Sequence, residues 1–98
     1  MIKILLIALL LPMTASAKPD VFKLSARCAQ WAYIQDNEEI AYTHFKFAKI
    51  TLEDTSIDYQ AGFAEGLTRS GSYFTKVTFK EYAKKLYKDV KCKTLLPI

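Results

Sequence analysis

Two cysteines, Cys28 and Cys92, stand near opposite ends of the chain that follows a short apolar leader, and the fold has to bring those ends together. Residues 1–17 (MIKILLIALLLPMTASA) read as the leader. Lys3 gives a brief positive start, Ile4 to Leu11 form an apolar run, Pro12 interrupts it, and Ala15-Ser16-Ala17 offers small residues for cleavage. This order is that of a secretory signal peptide, cut after Ala17. The run is shorter than the roughly 20 residues that span a bilayer, and no cysteine beside the cut could carry a lipid anchor. The expected mature protein is one helical domain, residues 18–98, placed in the periplasm or outside the cell. There, an even number of cysteines in a small domain predicts a disulfide. Closing so long a loop stabilises by roughly 4 kcal/mol in the chain-entropy model, which matters because a core this small is marginal. Two unpaired thiols are the alternative. No metal is expected, since two cysteines and the single distant His44 lack ligand spacing.

The mature region reads as helical nearly throughout, giving an all-α fold: a small bundle of about four helices, with the N- and C-terminal helices stapled by the disulfide. Asp20 can cap a first helix reaching about residue 34, with Val21, Leu24, Cys28 and Trp31 on one stripe. Glu38 and Glu39 suit the positive N-terminal end of a second helix, over about 38–52, with Ala41, Phe45, Ala48 and Leu52 at helical spacing. Thr55-Ser56-Ile57-Asp58 resembles a capping start for a third helix, and Ser70-Gly71 a stop signal for it. Residues 72–77 (SYFTKV) then form an extended connector. The last helix is the clearest, with Thr78-Phe79-Lys80-Glu81 as a capping box and Phe79, Tyr82, Ala83, Leu86, Tyr87 and Val90 on one face. Cys92 falls off that face, so the helix has to loosen by Lys91 for the bridge to form.

Charge divides the mature chain. Acids lead up to Thr68; from Arg69 onward a run of lysines faces only Glu81 and Asp89. Lys80, Lys84, Lys85, Lys88 and Lys91 make a basic face on the last helix, suited to an acidic protein or an anionic membrane surface. Export makes nucleic acid an unsuitable partner. The plain alternative is a solvated face that keeps the protein soluble. Tyr73 and Phe74 form an exposed aromatic pair in the connector, a further candidate contact, since tyrosine couples large area to a polar tip. Their alternative role is to cap the end of the bundle.

Gly62 and Gly66 lie four apart inside the third helix, where each glycine costs up to about 1 kcal/mol relative to alanine. Close packing of a neighbouring helix or ring, Trp31 or Tyr82, is the expected compensation. His44 reads as a packed or capping residue. With both cysteines bridged, no serine–histidine–acid or cysteine–histidine set can be assembled, so neither enzymatic activity nor a cofactor is expected.

Tyr59-x-x-Gly62-x-x-x-Gly66, a helix start at Val77-Thr78 and a closing Cys92 resemble small periplasmic immunity proteins of type VI secretion systems. The resemblance spans about 59–92; that family's second cysteine pair and its proline-containing turn have no counterpart here. It implies an exported helical domain that neutralises a toxin by binding it. The expected function is thus a non-enzymatic periplasmic inhibitor. The rival is a membrane-associated regulator, for example of lysis, using its basic last helix on anionic lipid.

Overall fold

Asp20 opens the first helix as its short acceptor side chain allows: Oδ1 accepts from the backbone N–H of Phe22 (2.9 Å) and Lys23 (3.1 Å). The computed structural model describes residues 20–96; the signal-peptide reading of residues 1–17 lies outside the described residues. Helix α1 (Val21–Ile34) buries Ser25, Ala26, Cys28, Trp31 and Ala32. A turn through Asp36, whose φ is 64°, leads to Asn37, which caps α2 (Glu38–Ala48) by accepting from the Ile40 N–H. Helix α2 stops at Ala48, short of the expected residue 52. Leu52 instead folds back from a turn to pack beside Ala26, Ala48 and Ile57, leaving Ile50 exposed.

Helix α3 (Asp54–Thr75) corrects two expectations. Its N-cap is Glu53, which makes no side-chain capping bond, so Thr55 and Ser56 lie inside the helix. It also runs through Ser70-Gly71, and most of the expected connector is helical. Gly71 does not terminate it because no glycine here has a positive φ; the helix ends at left-handed Lys76, φ 60°. Helix α4 (Phe79–Asp89) starts as its sequence predicts, with Thr78 Oγ1 accepting from the Glu81 N–H at 3.0 Å. Left-handed Lys91 then turns the chain into a 3-10 segment, Cys92–Leu95. That turn brings Cys92 back to Cys28, to which it is disulfide-bonded with the Cα atoms 5.7 Å apart.

Helix α1 is the spine, touching the other three helices and the 3-10 segment. The main core joins Cys28, Trp31, Ala64, Ala83 and Cys92, with Leu24, Ile34, Leu86, Tyr87 and Val90 packed round it. The Trp31 indole N–H donates to Thr68 Oγ1 at 3.0 Å, so the largest core side chain also has its polar atom satisfied. The result is an all-α bundle stapled between its first helix and its C-terminal segment. Its disulfide belongs to a non-reducing compartment. No described helix is long and apolar enough to cross a membrane.

Candidate functional site

The five lysines expected on the last helix do not form one face, and Lys91 lies in the turn beyond its end. Lys80 reaches Asp36 in the α1–α2 turn at 2.5 Å, and Lys85 pairs with Asp89 one turn along at 2.6 Å. The hydrogen bond and charge of Asp89 raise the Lys85 pKa. These two amines are ion-paired at the surface. Lys84, Lys88 and Lys91 have no carboxylate within ion-pair distance among the described residues. They line a recess of about 570 Å³ together with Lys93, Thr94, Tyr87 and Gln35.

The local sequence explains the convergence. Spacing of four places Lys84 and Lys88 on one row of α4, where like charges cost a few tenths of a kcal/mol. The left-handed turn at Lys91 directs the chain across the end of that row, and the 3-10 segment adds Lys93 and Thr94. Cys92, between Lys91 and Lys93, is fully buried and bridged, which pins the turn to α1. Gln35 closes the far side from the end of α1, where its Nε2 donates to the Trp31 carbonyl at 3.2 Å. An adjoining hollow of about 170 Å³ shares Gln35, Tyr87 and Lys93 and adds Ile40 and Leu96. The basic rim therefore has an apolar neighbour. Lys93 follows Cys92, where the helical reading of the sequence has already ended, and only the turn at Lys91 brings it to the other three.

Tyr87 connects the recess to the interior. Its hydroxyl lies 2.8 Å from His44 Nε2, and His44 Nδ1 lies 3.3 Å from Ser25 Oγ. Ser25 donates to the His44 carbonyl. That commits its proton, so Nδ1 is assigned as donor to Ser25 and Nε2 as acceptor of the Tyr87 hydroxyl. Burial lowers the His44 pKa from 6.5 to about 4, keeping the ring neutral, and raises that of Tyr87. Ser25 and His44 are both fully buried, so this relay fixes the Tyr87 ring in the recess wall and binds α1, α2 and α4 to one another.

The remaining selected residues lie elsewhere. Tyr73 and Phe74 are exposed, at 77% and 78%, and pack edge to face, but on the last turn of α3 and not in a connector. They do not line the recess. Gly62 and Gly66 require correction: a Cβ built on either meets no atom within 4 Å, so neither is a close-packing site within this chain. The close approach occurs at Gly71, where the Tyr82 ring fills the space a Cβ would take. The sequence placed Gly71 at a helix end and so hid its role.

The chain matches no protein-family model, and no similar curated protein or solved structure was found.

Proposed function

We propose that this protein is an exported, non-enzymatic binding protein of the periplasm, an inhibitor or immunity-like factor that receives an acidic surface of another protein at the lysine-lined recess. One observation carries the reading: Lys84, Lys88, Lys91 and Lys93 converge on one concavity without a carboxylate partner among the described residues. Holding like charges together is unfavourable, and an incoming carboxylate relieves it while setting orientation and association rate. The Tyr87 ring adds a rigid wall beside the amines, its hydroxyl proton being held by His44. A concave site suits projecting Asp or Glu side chains better than a flat lipid surface. Helix α4 also turns Ala83, Leu86 and Tyr87 toward the core, which weighs against laying its apolar face on lipid.

The test is the triple reversal Lys84→Glu, Lys88→Glu and Lys93→Glu. Helical circular dichroism and melting temperature should stay close to wild type, because all three side chains are exposed. Capture of the protein partner from a periplasmic extract should fall by roughly tenfold or more. Equal capture by the variant contradicts the proposal, as does salt-sensitive binding to anionic vesicles with no protein captured.

A further inference from the structure

The hollow of about 170 Å³ beside the lysine recess has a lining of a different kind. Ala32, Ile40 and Leu96 give it apolar walls. Among the described residues, Ile40 and Leu96 pack against neither buried core. Both are half-buried, so the bundle leaves apolar surface here that its own packing does not use. A cavity of about 150 Å³ accepts a benzene molecule. The hollow therefore has room for one phenyl ring or one branched aliphatic side chain.

Gln35, Tyr87 and Lys93 line both spaces, so the lysine rim and the apolar hollow share one boundary. That boundary is held in place. Gln35 donates to the Trp31 carbonyl, and the Tyr87 hydroxyl is bonded to His44. Asn37, also in the lining, accepts from the Ile40 N–H and donates its own backbone N–H to the Ala32 carbonyl at 3.0 Å. The bridge at Cys92 anchors the segment that carries Lys93 and leads into Leu96. Walls fixed in advance lose little freedom when a ligand arrives.

We propose that the occupant is an acidic segment of a partner protein that carries one large apolar side chain, Phe or Leu, beside its carboxylates. The carboxylates meet Lys84, Lys88, Lys91 and Lys93, which have no carboxylate partner among the described residues. The apolar side chain enters the hollow against Ile40 and Leu96. This rests on the reading of the recess as an acidic-partner site, and it adds what selects among acidic partners. Charge favours any acidic surface and acts chiefly on the association rate. A desolvated anchor in a fitted pocket supplies much of the binding energy and slows dissociation. A purely acidic segment leaves the hollow unfilled, and an apolar segment without acids leaves the amines unmatched.

Fluorescence anisotropy on the disulfide-bonded protein tests the proposal with three labelled peptides of equal length. One is glutamate-rich with a central phenylalanine, one has alanine at the centre, and one keeps the phenylalanine but has glutamine for every glutamate. The first should bind roughly tenfold or more tighter than the second, and the third should not bind measurably. Ile40→Gln and Leu96→Ser should each remove most of the phenylalanine preference while leaving affinity for the alanine peptide unchanged. Leu96 follows the last helical segment, so its variant serves should substitution in α2 disturb the fold. Equal binding of the two acidic peptides, both weakened by Lys84→Glu, Lys88→Glu and Lys93→Glu together, overturns the anchor and leaves the acidic-partner reading standing. Binding of neither acidic peptide overturns both. A phenylalanine preference that survives Ile40→Gln and Leu96→Ser places the ring elsewhere and equally contradicts the proposal, as does tight binding of the glutamine peptide.

Discussion

The ring of Tyr82 rests where a side chain at Gly71 would project, so one missing methyl group sets how closely α3 and α4 meet. Two terms oppose each other on substitution. Alanine gains up to about 1 kcal/mol in a helix interior relative to glycine, while overpacking a fitted contact costs roughly 1–3 kcal/mol. At Gly71 the second should win, and Gly71→Ala should lower the melting temperature. At Gly62 and Gly66 only the first operates within the chain, so Gly62→Ala and Gly66→Ala in dilute solution should raise it. Thermal denaturation of the three variants decides the matter. A Gly71→Ala protein as stable as the wild type would show that Tyr82 moves aside without cost.

His44 is an element-scale device, because its ring joins α2 to α1 through Ser25 and to α4 through Tyr87. Its pKa is about 4 in the bundle and near 6.5 when unfolded. Between those values the unfolded chain binds more protons, so stability rises with pH across the window. The stabilisation is complete above about pH 6.5 and is lost as pH falls toward 4, by on the order of 3 kcal/mol at most. Urea unfolding from pH 7 to pH 4 should show this slope in the wild type. His44→Gln should be less stable at pH 7 but lose stability less steeply in that range. Parallel profiles would contradict the assignment, since ordinary carboxylates titrate alike in both proteins. At this scale much was legible in advance. Asp20, Thr78 and the apolar rows of α1 and α4 are local signals, and they define helices where expected. The end of α3 was not legible, because Gly71 signals a stop locally and only Tyr82, from another helix, shows why glycine is there. Likewise, the Lys80–Asp36 pair joins residues 44 apart, which no run along α4 reveals.

For the whole molecule, the bridge between Cys28 and Cys92 does more than close the chain. It anchors the 3-10 segment to the spine helix, and with it Lys93 and Thr94 to the edge of α4. The cysteine pairing could be read from count and compartment; the recess could not, because it forms where three separated segments meet. The basic residues thus line one concavity through the turn at Lys91, and not through lysine content alone. Amide chemical-shift mapping during titration with a glutamate-rich peptide measures this most directly. The shifts should concentrate on Gln35, Lys84, Tyr87, Lys88, Lys91, Lys93 and Thr94, leaving the engaged Lys80 and Lys85 nearly unmoved. Shifts spread evenly over every lysine-bearing surface, or centred on Tyr59 and Tyr73, would contradict a preformed acidic-partner site at the recess.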